Sequence, residues 1–537
     1  MQESSEYKLN GQASSQKMNE PLINKKHPVQ ESDSAPKKDK NKLTFLQEDE
    51  LTRENVPRQI YDLIVESIPN VATNLGIFYY SFINMFFVRQ IGSTQAIASF
   101  GMGVTWFNST TLCILVSIGS GLFIQLAQAY GAKNFKLMTE LYQRCQAITM
   151  TIGIISGFLL YNTKNVLLAL GINEEISSLT EEFSLSCIPS IFASVLYDST
   201  KQLFFSQNIF DIPMKVQLII YFVHPFWCFT FSIIFDFGIA GMGLARTVSE
   251  LSGYFLLCFF IKKKHLFDEI WNQPYNYQSM FQEWIPFLKI SIPVGCLVFL
   301  EWIFFELQTL IVAMLNDDNI LAGQTSFTSI IMFFYMVPLG LSYTTNSYLG
   351  NAVGEGKKQQ CKNFSKISMM ACLLEVIIMF FVGIMSKGFF TDIFSTGPEM
   401  EHYFSYAYNM YLYTFLLGDY YQVILNGILR CCDLQNYAAY SYFFVYYFIG
   451  LPLTYFFTFP CGLGLGGVWL SQSFSATAVS IIFYLRILRI DWDESIKQVQ
   501  KRVQLEKQNI QDVEMKQIQS NEVSTDLPAP AQIIQNK

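Results

Sequence analysis

Three carboxylates stand out in this 537-residue chain, because Glu301, Glu306 and Asp419 lie deep in long apolar runs with no Lys or Arg within a helical turn. A carboxyl in such surroundings costs a few kcal/mol even on a lenient membrane-insertion scale, so each asks for a function. A dry carboxyl without a counter-charge holds a proton more readily than one in water, and a second carboxyl nearby strengthens the effect. Such a group binds a proton at one pH and a cation at another. Glu301 and Glu306 are five residues apart, about 140° around a helix, so both cannot face one site squarely. The neighbouring Trp302, Phe304, Phe305, Tyr420 and Tyr421 offer ring faces that suit an organic cation. Other acids in these runs divide: some read structurally, Asp198 is open between a local ion pair and a transport role, and Glu375 is unassigned. Arg246 and Glu250 are spaced to neutralise one another on one helix face, Asp198 has Lys201 three residues on, and Glu66 and Asp236 lie near helix ends; Glu375 has no partner close in sequence.

Residues 1–59 and 490–537 hold 34 of the 79 charged residues, leaving 45 for the 430 positions between. A stretch so poor in charge, whose apolar runs repeatedly reach about 20 residues, reads as a polytopic helical membrane protein. Twelve hydrophobic stretches are predicted, at 61–88, 96–129, 138–161, 179–206, 213–236, 239–261, 286–315, 320–351, 366–386, 402–429, 436–460 and 465–488. With the first end inside, the inner loops carry fourteen Lys or Arg, whereas the outer loops carry only Arg89, Lys164 and Lys387. That asymmetry predicts cytoplasmic termini.

The two halves repeat. Ser67-Ile68-Pro69 recurs as Ser291-Ile292-Pro293, Ala129-Tyr130-Gly131 as Ala352-Val353-Gly354, and Gly238 to Gly241 as Gly464 to Gly467; Asp198 falls against Asp419 and Pro225 against Pro452. Six helices per repeat make both halves enter the bilayer in the same sense. The predicted fold is therefore an all-α membrane protein, two six-helix lobes related by a pseudo-twofold along the membrane normal, working by alternating access. The divisions are a disordered cytoplasmic tail at 1–59, an N-lobe at 60–264, a cytoplasmic linker at 265–285, a C-lobe at 286–489 and a C-terminal cytoplasmic tail at 490–537. That last tail is partly helical, with apolar residues at Ile496, Val499, Val503, Ile510 and Val513, and reads as solvated.

Several chemistries find no support. The eleven Cys lie singly or as the vicinal Cys431-Cys432, and the four His show no ligand spacing, so neither a metal nor another cofactor is expected. His224, before Pro225, reads as a satisfied core histidine. The glycine-rich run from Gly462 to Gly467 joins two helices with no preceding strand, and is a turn, not a phosphate loop. An integral membrane enzyme would need a nucleophile or a His/Asp centre that the sequence lacks. A net charge of −7 argues against nucleic acid as a partner.

Four stretches within about Ile60 to Arg489 carry a likeness: Leu126 to Ala132, Leu300-Glu301-Trp302-Ile303-Phe304-Phe305-Glu306, Pro338 to Ser342 and Ile428-Leu429-Arg430. In them the chain resembles the multidrug and toxic compound extrusion (MATE) family, in its eukaryotic branch. The resemblance implies a V-shaped two-lobe exporter of organic compounds, driven by protons or sodium, with Glu301 and Asp419 in coupling and cation binding. Ile303 departs from the second Trp of the family's seventh-helix pattern, and Cys431 from a Gly. Asn84 stands where bacterial relatives carry an ion-binding Asp, which moves coupling to the C-lobe. The reading is a monomeric proton-coupled antiporter in the plasma membrane or an organelle membrane, exporting organic cations or amphipathic metabolites and xenobiotics. Glu301, Asp419 and Glu306 are its coupling and binding residues, with Trp302, Phe305, Tyr420, Tyr421 and Asn84 lining the pocket. The alternatives are a lipid flippase of similar architecture, which calls for a basic cleft, or an antiporter that uses sodium or carries anions.

Overall fold

The computed structural model describes residues 51–91, 94–273, 280–315, 317–394 and 397–525, and among these there is no strand. The expected disorder of the N-terminal tail falls mostly on residues 1–50, outside the described residues. In hydrocarbon every backbone polar group must be satisfied within the segment, which for apolar runs of this length leaves the helix.

Among the described residues twelve long rods follow one another, with short helices at Thr163–Ala169 and Asp268–Trp271 between them. The first six are α1 (56–91, interrupted at Leu75), α2 (94–131), α3 (Phe135–Tyr161), α4 (Glu174–Ser206), α5 (211–234) and α6 (Ala240–Lys264). The second six are α7 (Trp284–Ala313), α8 (Asp318–Glu355), α9 (Lys358–Phe394), α10 (398–431), α11 (435–458) and α12 (Leu465–Leu488). Nine of them are long and apolar enough to span a membrane. Of the others, α1 carries Arg58, Asp62 and Glu66 before its interruption, while α10 and α11 are rich in Tyr, whose ring supplies apolar bulk but whose hydroxyl lowers hydropathy. At 38 residues α8 is about 57 Å long, so it projects well beyond a hydrocarbon layer of about 30 Å.

Side chains cap the start of some helices, and left-handed residues end some. The Asn134 side chain accepts from the Leu137 amide to cap α3, and Asp317 caps α8 through the amides of Asn319 and Ile320. Gly356, at φ 80°, closes α8. Four stretches widen into π-helical turns: Asn108–Leu112 in α2, Thr230–Ile234 in α5, Tyr411–Phe415 in α10 and Phe444–Gly450 in α11.

The lobes meet through α1 and α2 on one side and α7 and α8 on the other. Asn70 donates to Thr344 at 2.7 Å, Gln128 to the Cys431 carbonyl at 2.9 Å and Ser347 to Asn208 at 2.6 Å; Tyr348 donates to Glu66. The rings of Phe123 and Tyr343 lie 5.4 Å apart. These contacts cluster at one end of the bundle, where α2 and α8 finish and α1 and α7 begin. Small residues let the backbones close there. A Cβ on Gly131 would run into the Asn351 carbonyl, one on Gly354 into the Gln128 carbonyl, and one on Gly295 into Ser117.

A further helix, α13 (Trp492–Thr525), lies across this sealed end. Arg502 ties it to both lobes at once, with its Nη1 2.5 Å from both carboxylate oxygens of Asp433 and its Nη2 on the Gln128 side-chain oxygen. Lys358 pairs with Asp493. Ile496, Val499, Val503 and Ile510 are buried, whereas the sequence reads this helix as solvated. Its stripe has a partner because the ends of both lobes contribute to the apolar surface on which it packs.

Candidate functional site

Glu301 is buried on α7 and Asp419 on α10, and one side chain bridges them. Gln422 Nε2 donates to Glu301 Oε1 at 2.7 Å and to Asp419 Oδ1 at 3.2 Å. Tyr446 on α11 donates its hydroxyl to Gln422 Oε1 at 2.6 Å, and Tyr335 on α8 donates to Glu301 Oε2 at 3.3 Å. The amide thus uses both its donors and its acceptor. Asp419 Oδ2 is buried with no hydrogen-bond partner, and among the described residues neither carboxylate has an ion-paired Lys or Arg. Two carboxylates so close in a low-dielectric core repel unless a positive charge joins them, so the balanced occupant is a proton or a cation. The wide turn Tyr411–Phe415 ends just before the segment holding Asp419, and Phe444–Gly450 includes Tyr446. Wide turns of this kind recur at functional sites, since they turn side chains off the regular helical register.

The remaining candidates lie apart from the pair. Glu306 is exposed on the other side of α7, as the 140° argument requires. Trp302 is partly buried, and Phe305 packs edge-on against Phe415 with centroids 6.3 Å apart. The Tyr420 and Tyr421 hydroxyls bond the carbonyls of Phe334 (2.9 Å) and Met369 (3.1 Å) instead of the carboxylates. Asn84 belongs to a separate cluster in the N-lobe, where its Oδ1 lies 2.9 Å from His224 Nε2 and accepts from the Cys228 thiol at 3.2 Å. The other His224 nitrogen meets Ser249 at 2.9 Å, so the ring is fully satisfied. Arg246 and Glu250 pair at 2.9 Å, and Ser194 also bonds Glu250. Glu375 is buried, with one oxygen lacking a hydrogen-bond partner. No group of His, Cys, Asp or Glu fit to hold a metal occurs among the described residues.

The sequence reading missed Gln422, Tyr446 and Tyr335, although Gln422 sits three residues after Asp419 on the same face. The repeat explains its weight. At an offset of 221, Asp198 matches Asp419 and Lys201 matches Gln422. In the N-lobe, Lys201 pairs with Asp198 at 2.6 Å and neutralises it. In the C-lobe the amide holds its acid in place and leaves the charge uncancelled. Of two equivalent positions, one acid is paired with its own lysine and the other is held by a neutral amide.

The family model MatE matches residues 69–230 and 293–456, two segments whose spacing agrees with the internal repeat. Multidrug and toxin extrusion protein 1 of Xenopus tropicalis is 24% identical over 445 residues, covering 83% of this chain and 77% of the relative. The protein of the same name from Homo sapiens is 23% identical over 448 residues, covering 83% and 78%. Among solved structures, the eukaryotic MATE transporter AtDTX14 superposes with a TM-score of 0.76 at 18% identity, over 84% of this chain and all of that one. The Vibrio cholerae MATE transporter VcmN in the bent form gives 0.69 at 13% identity, over 84% of this chain and all of that one.

Proposed function

The chain belongs to the MatE family, and from that premise we propose that it is a proton-coupled antiporter exporting organic cations or amphipathic metabolites and xenobiotics. The observation that carries this reading is the Glu301–Gln422–Asp419 bridge, two buried acids held by one neutral amide. Protons and a cationic substrate compete for that site, and mutually exclusive binding is enough to couple the two fluxes. The amide also supplies a way to transmit occupancy. Its two N–H groups suit two ionised oxygens, and a proton on Glu301 Oε1 would set donor against donor. Gln422 must then re-pair, and because Tyr446 donates to it, the change reaches α11 at its wide turn. Alternating access follows if that shift opens the sealed end while the other end closes.

By the positive-inside rule, the excess of basic residues at the sealed end supports a reading in which that end and both termini face the cytoplasm. A flippase reading would call for cations where these acids stand. The test is uptake of tetraethylammonium by the purified protein in liposomes under an outward proton gradient alone, then under an outward sodium gradient alone. Uptake is expected with protons; uptake only with sodium would discard the proton coupling and keep the site.

A further inference from the structure

Away from the carboxylate site, a half-open chamber of about 600 Å³ lies at the sealed end, a size typical of ligand pockets. Its walls come from three parts of the chain: the turn after α2, the turn after α8, and α13. The two turns are repeat equivalents at an offset of 223, and the close approach of Gly131 and Gly354 to the opposite lobe sets them side by side. Lys133 enters from the first turn, Lys357 from the second and Lys507 from α13, with the amides of Gln500 and Gln504 among them. Glu355, the acid in the lining, pairs with Lys357 at 2.6 Å. Among the described residues no carboxylate lies within ion-pair distance of Lys133 or Lys507.

Lys133 also differs from its counterpart in the other lobe. Its φ is +53°, a left-handed conformation that side-chain-bearing residues adopt at a cost. The position equivalent to it in the other lobe is Gly356, at φ +80°, where no such cost arises. A lysine thus stands in a helix-ending turn whose counterpart in the other lobe is glycine, so this position adds a charge to the chamber that its counterpart lacks.

We propose that this chamber binds a polyphosphorylated anion, whose contacts with all three walls clamp the lobes and α13 together at the sealed end. Soluble polyphosphates and the headgroup of a phosphorylated inositol lipid share the required chemistry. The test uses the full-length protein in detergent, with thermal unfolding followed in inositol hexakisphosphate, in short-chain phosphatidylinositol 4,5-bisphosphate, and in sodium chloride of matched ionic strength. A rise of several degrees with the soluble probe supports a soluble ligand, and a rise with the lipid alone supports a headgroup. Lys133→Gly separates binding from folding, because it should raise the unfolding midpoint without ligand, by relieving the turn, and weaken the anion response roughly tenfold. Lys507→Gln, on an exposed face of α13, should weaken the response without touching the turn. No response to either probe, or a response unchanged in both variants, would overturn the proposal.

Discussion

Gln422 holds two buried acids with one amide. If the C-lobe site works because its charge is uncancelled, Gln422→Lys should copy the N-lobe arrangement of Asp198 and Lys201 and fill the site with a tethered cation. The variant should fold, and cation export should fall roughly 100-fold, the equivalent of about 3 kcal/mol; uptake assays beside a thermal melt check both. Tyr446→Phe leaves the amide oxygen without its donor, which costs about 1–2 kcal/mol and should lower the rate roughly tenfold without abolishing coupling. Wild-type transport in either variant would show that the bridge is packing alone. Glu301 and Asp419 were legible in the sequence because a carboxylate in an apolar run is conspicuous. Gln422, Tyr446 and Tyr335 were not, since a neutral polar residue in a Tyr-rich helix looks the same whether it holds a carboxylate or a backbone carbonyl. Tyr420 and Tyr421 show the converse, as their hydroxyls bond carbonyls of neighbouring helices.

At the scale of elements, the seam and α13 set which end is closed. Gly295→Val would push against Ser117 on α2 and should lower the unfolding midpoint while favouring separation of the sealed end. The measurable sign is faster modification of a cysteine placed at Ser117. Arg502→Gln removes the cation that joins Asp433 to Gln128 across both lobes. In this partly exposed setting the loss should be about 1–2 kcal/mol, read as earlier tryptic cleavage after Lys507. Nearby, burial pushes the Glu506 carboxyl above its ordinary range, although Arg502 and Arg144 oppose the shift. An acid raised in this way contributes stability at low pH that is lost as pH rises through its folded value. The hold of α13 should therefore loosen with rising pH, and Glu506→Gln should flatten that dependence in the same cleavage assay. The twelve spans were readable because composition and length define them. The docking of α13 was not, because the surface that receives it is assembled from distant segments of both lobes.

For the whole molecule, the repeat fixed the expected architecture, and the family model reports the same two halves. Divergence between those halves gives the protein its asymmetry: a self-neutralised acid in one lobe and an open pair in the other. Sidedness is testable through Cys461, which is exposed in the turn between α11 and α12, at the end opposite α13. In cells that carry the protein at their surface, an added impermeant maleimide should label it, and labelling there only after permeabilisation would reverse the proposed orientation. The most direct test of the central claim follows tetraethylammonium uptake and lumenal pH together in proteoliposomes with an acidic interior. The account predicts uptake matched by proton loss in the wild type, with both lost in Glu301→Gln and in Asp419→Asn. Uptake that proceeds without proton movement, or that survives Glu301→Gln undiminished, would contradict it.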